Sequence, residues 1–270
     1  MQVGRHRLGA RLGEGATGVA FHAHDEAGAE VVLKVLRAER NDDAVARARF
    51  VREARLSREI ESSHLVPILE LGESDGQIYL VLPVYAGGSL AARLREVGRL
   101  SLEETIDLAA QIGRGLDTLH EHGILHRDVK PSNVLLDGAG IAALSDFGLA
   151  RTPTSTRLTE DGQLVGTPHY LAPELIEGHD ATRASDIYAF GCMLFECLVG
   201  QPLFGRRSVV ELGFAHLVET PPDPSDLRPE LPADVGVALL KALEKNPADR
   251  PTTATALARM LHVARTAACS

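Results

Sequence analysis

Around Ala86-Gly87-Gly88-Ser89 the chain changes its hydrophobic period, and that change restricts the possible folds more than any other feature. Before it, residues 5 to 36 alternate short apolar runs with glycine turns. VVLKVL at 31 to 36 is rich in β-branched residues, and PILELGES and GQIYLVLPVY flank a Ser-Asp-Gly turn. Such alternation, broken by turn residues, predicts antiparallel strands. The one interruption, from Asp42 to about Ile60, is charged, Ala-rich and free of Gly and Pro, which predicts a helix opened by an Asn/Asp cap. After the change, Leu102 to His120, Ser185 to Val199 and Val235 to Lys245 have helical spacing, and residues 251 to 270 read as an Ala-rich helix with a short tail. The Pro-rich TPPDPSDLRPELP at 220 to 232 predicts a surface loop. Strands segregated from helices give an α+β chain: a small antiparallel sheet with one main helix, then a larger, mainly helical part.

A chain of 270 residues, 44% of them apolar, is long enough to bury a sizeable core in one large domain or two lobes. The formal charge of −9 disfavours binding to phosphate backbones, and 4% aromatic residues with no Trp leave few platforms for stacking bases, so nucleic acid is not expected as a partner. Cys192, Cys197 and Cys269 form no C-x-x-C pair, which points to reduced thiols in a cytoplasmic setting. MQVGRHRLGARLGEG lacks the apolar core of a signal peptide, and no stretch of about 18 uncharged apolar residues occurs, so the chain as given is expected to be soluble.

Three local patterns carry chemistry. Gly13-Glu14-Gly15-Ala16-Thr17-Gly18-Val19 has glycines spaced so that backbone N–H groups can lie close to phosphates. The strand-like VAFHAH follows it, which favours a hairpin flap over the strand-to-helix turn of a dinucleotide-binding unit. Lys34 lies inside an apolar strand and needs a counter-charge, for which Glu53 on the predicted helix is the candidate. GILHRDVKPSNVLLDG at 123 to 138 then crowds charge between apolar runs, and LSDFGLA follows it. Asp128, Asn133 and Asp146 suit a divalent cation and a hydroxyl proton. A salt-bridged loop would explain His126-Arg127-Asp128 alone. Phosphoryl transfer, where positioning and charge neutralisation dominate, explains the whole set.

In order along the chain, GEGATG, VVLK, the helix Glu, HRDVKPSN, DFG, GTPHYLAPE, SDIYAFG and the Arg of NPADRP resemble a eukaryotic-like protein kinase domain of the bacterial Ser/Thr type. The resemblance implies a two-lobed protein kinase fold over residues 1–270, with a first lobe to residue 85, a hinge near 82–86 and a second lobe from 87. It also implies ATP with Mg2+, or Mn2+ in its place, as the reactant pair, and protein Ser/Thr hydroxyls as acceptors. By the same resemblance, Gly13, Gly15 and Gly18 would cover the phosphates, and Lys34, oriented by Glu53, would bind the α and β phosphates. Asp128 would be the catalytic base. Lys130 would steady the γ-phosphate and favours Ser/Thr over Tyr as acceptor. Asn133 and Asp146 would hold the metal. Leu12, Val19, Val32 and Leu135 would surround the adenine, with the Pro83 carbonyl and the Tyr85 N–H as hinge contacts. Phe147 would report active or inactive packing of its loop, Thr167 would touch Asp128, Asp186 would hold the backbone near His126-Arg127, and Glu174 and Arg250 would form a buried ion pair.

Three positions depart from the family pattern. Pro83 replaces an acidic residue, Val32 stands where Ala is frequent, and Ser57 is polar where an apolar residue is usual. Arg127, before the catalytic Asp, suggests pairing with a phosphate on the following segment. There, Thr159 is the first candidate for autophosphorylation, and Thr152, Thr154, Ser155 and Thr156 are secondary. The resemblance also allows a homodimer through the small lobe and a membrane anchor in a longer parent protein. The competing readings are a silent kinase-like scaffold and a phosphotransferase acting on small molecules such as aminoglycosides.

Overall fold

The structure, a computed structural model, describes residues 2–15, 18–37, 44–148 and 168–267. Gln2–Val3 (β1), His6–Glu14 (β2), Gly18–His24 (β3), Glu30–Leu36 (β4), Glu70–Ser74 (β5) and Gln77–Pro83 (β6) form one sheet in the order β1-β2-β3-β4-β6-β5. Every neighbouring pair is antiparallel. Asp75 and Gly76, both with positive φ (51° and 76°), make the two-residue turn between β5 and β6, where the left-handed backbone matches the twist of the strands.

Alternation along these strands builds two small cores. Val31 and Leu33 of β4 join Val3, Ala23, Tyr79 and Val81 on one face. Leu36, on the other, joins Ile78, Leu80 and Ile68 against Phe50 and Ala54 of helix Ala44–Arg58 (α1). Phe50 and Ala54 are one turn apart, so the helix presents a narrow apolar stripe to the sheet. The predicted Asn/Asp cap of α1 lies outside the described residues.

The rest of the chain is mainly helical: Leu90–Val97 (α2), Leu102–Glu121 (α3), Pro173–Ile176 (α4), Arg183–Val199 (α5), Val209–Val218 (α6), Pro224–Leu227 (α7), Ala233–Ala242 (α8) and Ala254–Ala267 (α9). α3 opens with a capping box in which the Ser101 hydroxyl accepts from Glu104 N and Glu104 accepts from Ser101 N. It buries Ile106, Ala109, Ile112, Leu116 and Leu119. α5, apolar on nearly every side from Ile187 to Leu198, is the axis of the large core.

Several elements differ from the sequence reading. α2 and α6 were not predicted, although Ser89 and Ser208 cap them by accepting from Ala92 N and Glu211 N. The stretch 220–232 is not simply a loop. Asp223 accepts from Ser225 N and Pro224 starts α7, because an Asp cap followed by Pro is pre-organised for a first helical turn. Pro224 and Leu231 are buried.

Between the two parts lies a two-stranded hairpin, Val134–Leu136 (β7) and Ala142–Leu144 (β8), closed by Asp137, whose carboxylate accepts from Ala139 N and Ile141 N. Both of its edges are held. Leu144 exchanges backbone bonds with His64 and Val66 after α1, and Leu136 does so with Gly87 and Gly88 after β6.

Candidate active site

The β7–β8 hairpin brings the chemistry together. Its register pairs Val134 with Leu144, so the residues just outside the open end, Asn133 and Ser145, are neighbours. Ser145 donates to the Asn133 carbonyl through both its N–H (2.8 Å) and its hydroxyl (3.1 Å). A 3-10 turn over Pro131–Asn133 then folds the preceding loop back, and the Asn133 side-chain amide donates to the Asp128 carbonyl (2.8 Å) and carboxylate (3.0 Å). Lys130 Nζ lies 2.8 Å from the same carboxylate. Asp146, following Ser145, has its carboxylate 2.5 Å from Lys34 Nζ. Asp128, Lys130 and Asn133 therefore form one polar group and Lys34 and Asp146 another, joined through Ser145 into a polar chain across the junction of sheet and helices.

At this site Arg127 (φ 65°) and Asp146 (φ 61°) hold left-handed backbone. Such conformations cost about 1–3 kcal/mol each for non-glycine residues and persist where surroundings impose them. For Arg127 the constraint is visible: Asp186 Oδ1 accepts from Arg127 N (2.8 Å), and Oδ2 accepts from His126 N (2.9 Å). The same Oδ2 meets His120 Nε2 at 2.8 Å. His120, at the end of α3, was not singled out from sequence, since its only local signal is a histidine closing a helical run.

Electrostatics follow from this packing. Burial pushes the Asp146 carboxyl up, but the Lys34 ammonium, with Lys130 behind it, outweighs burial and holds it below the usual carboxylate range. His126 is fully buried, and that burial lowers its pKa despite Asp186, Asp128 and Asp146 nearby, so the ring is neutral at pH 7. It lies edge-on to Phe147 with ring centroids 6.4 Å apart.

Lys34 shares its face of β4 with Val32 and Leu36 and is 7% exposed. Its ion pair is with Asp146. α1 turns Phe50 and Ala54 to the sheet, and Glu53 on the same helix is partly buried. Ser57, one turn on, is buried, and its hydroxyl has no partner among the described residues.

Among the glycines, Gly18 is demanded by packing, since a Cβ there would lie 2.2 Å from the Val35 carbonyl. Around Gly13 and Gly15 the space a Cβ would take is open, so a ligand could approach the backbone there. Val19 pairs with Val35, Val32 with Leu82, and Leu135 with Ala143; all three are partly exposed, as are Pro83 and Tyr85. Leu12 stands out at 56% exposure. Thr167, Thr159, Thr152, Thr154, Ser155 and Thr156 lie outside the described residues.

Behind the site Glu174 and Arg250 meet in two parallel bonds, Nη1 to Oε1 at 2.7 Å and Nη2 to Oε2 at 2.8 Å. The remaining guanidinium donors reach the carbonyls of Glu244, Ala184 and Lys245, so all five N–H groups are satisfied. Ser185 donates to Glu174 as well. Burial raises the Glu174 carboxyl, but the Arg250 bonds and charge outweigh it and hold it low.

For a divalent cation, the donor set fits Mg2+: an ionised Asp146 and the Asn133 amide oxygen, whose NH2 group is already spent on Asp128, are hard oxygen ligands. Two protein ligands match a Mg2+ site completed by phosphate and water, and among the described residues no group of three or more His, Cys, Asp or Glu side chains gathers into a separate metal site.

A sheet with one helix above, helices below, and this polar chain between them is the architecture of a phosphoryl-transfer domain. The protein kinase domain family matches residues 6–261, and the chain belongs to that family. It is 40% identical over 267 residues to the serine/threonine-protein kinase PknD of Mycobacterium tuberculosis, covering 98% of this chain and 40% of that protein. To PknE of the same species it is 38% identical over 264 residues (97% and 46%). The chain thus spans less than half the length of these curated relatives. The crystal structure of the M. tuberculosis PknI kinase domain superposes with a TM-score of 0.77 at 26% identity, over 98% of each chain. Among the described residues, no helix is long and apolar enough to cross a membrane.

Proposed function

We propose that this domain transfers the γ-phosphoryl group of ATP to Ser and Thr hydroxyls of proteins, including residues of its own segment between Asp146 and Glu174. The observation that carries the reading is the chain of contacts Lys34–Asp146 and Asn133–Asp128–Lys130, which gathers one candidate base, two candidate metal ligands and two ammonium groups. The names of the relatives support protein Ser/Thr hydroxyls as acceptors.

Asp128, held by Asn133 and Lys130, orients the acceptor hydroxyl and takes its proton as the bond to phosphorus forms. Lys130 stands beside that carboxylate, where it can counter charge on the transferring group. Asn133 and Asp146 would hold Mg2+, which when bound neutralises charge on the phosphates. Lys34, released from Asp146, contacts the phosphates and is then braced by Glu53, so the ion pair seen here belongs to a resting arrangement. Lys130 and the relatives' names favour Ser/Thr acceptors, and Thr159 is the first candidate in the chain itself.

The test is incubation of the purified domain with Mg-ATP beside an Asp128→Asn variant, with phosphates mapped by mass spectrometry. Phosphate on Thr159 and its neighbours in the wild type alone is the expected result. Transfer undiminished in Asp128→Asn would remove Asp128 from the mechanism. A wild type that neither binds Mg-ATP nor acquires phosphate would overturn the reading.

A further inference from the structure

Arg37 belongs to none of the motifs above, yet it grips the glycine-rich loop. It is the first residue after β4, whose last residue, Leu36, pairs with Gly18 at the start of β3. The loop between β2 and β3 therefore turns over the end of β4, within reach of the next side chain. Arg37 Nε donates to the Gly15 carbonyl at 2.9 Å, and Nη2 lies 2.5 Å from Glu14 Oε1. Arg11, on β2, takes the other oxygen of Glu14, so one loop carboxylate is divided between two guanidinium groups. The loop closes on itself through Gly15 N to Gly18 O (2.9 Å).

These groups are all more than a third exposed, so each contact is weak. Among the described residues, no neighbouring atoms surround the Cβ positions of Gly13 and Gly15, and Glu14 is exposed. Where nothing competes, a weak contact that fixes a backbone carbonyl decides where the loop rests. A guanidinium suits the task because its planar fork can serve a carbonyl and a carboxylate at once, which an ammonium does less well.

We infer that Arg37 is a positioning residue for ATP, holding Glu14 and Gly15 of the glycine-rich loop at the height from which their backbone meets the phosphates. This rests on the reading that the loop covers the phosphates, and the test separates the two. Binding of Mg-ATP and of adenosine is measured by competition for wild type, Arg37→Ala, Arg37→Lys and Glu14→Gln, with kcat and KM for ATP alongside. Arg37→Ala is expected to weaken Mg-ATP and raise its KM about fivefold, the scale of one exposed charged contact, with adenosine affinity and kcat within about twofold of wild type. Arg37→Lys should fall between the two, and Glu14→Gln should weaken Mg-ATP by less than Arg37→Ala, because the bond to Gly15 remains.

Mg-ATP binding unchanged in Arg37→Ala would overturn the inference and leave the kinase reading intact. Equal losses for adenosine and Mg-ATP would also overturn it, since they would report general damage to the sheet. A wild type that gains no affinity from the phosphates would overturn the loop's assigned role, and this inference with it.

Discussion

Gly18 and Gly13 belong to one motif but answer to different constraints. At Gly18 a Cβ would strike the Val35 carbonyl, so Gly18→Ala should force β3 away from β4 and lower the melting temperature. Gly13→Ala meets open space and should leave stability within about 0.5 kcal/mol, its effect confined to nucleotide affinity. Thermal melts with and without Mg-ATP distinguish the two; equal melting temperatures would refute the contrast. Ser57 invites a change in the other direction. Its buried hydroxyl has no partner, so Ser57→Ala should stabilise the domain by about 1 kcal/mol in urea unfolding. A destabilised variant would mean that the hydroxyl is satisfied in solution.

At the scale of elements, α4, α5 and the turn before α9 are tied by Arg250. Replacing it with Met would leave Glu174 buried without its countercharge and should cost about 3–5 kcal/mol. The pair also contributes to pH dependence. The folded Glu174 carboxyl lies below its unfolded value, so its stabilisation is complete above the unfolded pKa of about 4.3 and is lost as pH falls through the lower folded value. Comparing wild type with Arg250→Met from pH 3 to 6 checks both claims, and a gap that failed to narrow in acid would count against them. On helix α1, Glu53→Gln removes the carboxylate proposed to brace Lys34. Its transfer rate should drop about tenfold or more if α1 must bring Glu53 to Lys34 during turnover. A rate equal to wild type would place Glu53 outside the mechanism.

Over the whole molecule, buried histidines set the response to mild acid. Burial lowers both His126 and His216, the latter to about 3, while the unfolded imidazole titrates near about 6.5. The unfolded chain therefore binds more protons below that value, and stability falls as pH drops through it. For His216 alone the loss between neutral pH and pH 5.5 should be on the order of 1 kcal/mol. His216 reaches Tyr188 through Nδ1 and packs edge-on to Phe204, so it links α5, α6 and the loop between them. Urea unfolding at pH 7.5 and 5.5 should show the decline, and a flat profile would mean that these rings are hydrated. At the alkaline end, Lys245 is lowered to about 8 by burial, so stability should rise slightly as pH climbs from there toward the unfolded value.

Local chemistry determined much of this protein. The alternation of β2 to β6, the apolar spacing of α3, and the ordered GEGATG, HRDVKPSN and DFG motifs are short-range patterns, and they predicted the strands, the main helices and the candidate reactive groups. The short helices were legible only through their caps, Ser89, Ser208 and Asp223, which single hydroxyls and carboxylates resemble in any loop. Tertiary structure alone decided the partners of charges far apart in the chain. It placed Lys34 against Asp146, assembled three donors around Asp186, and left the Ser57 hydroxyl without a partner among the described residues. It also set Arg37 over the glycine-rich loop, because the end of β4 meets the start of β3. A residue's type declares which contacts it can make, but which one forms depends on the register and packing that bring distant segments together.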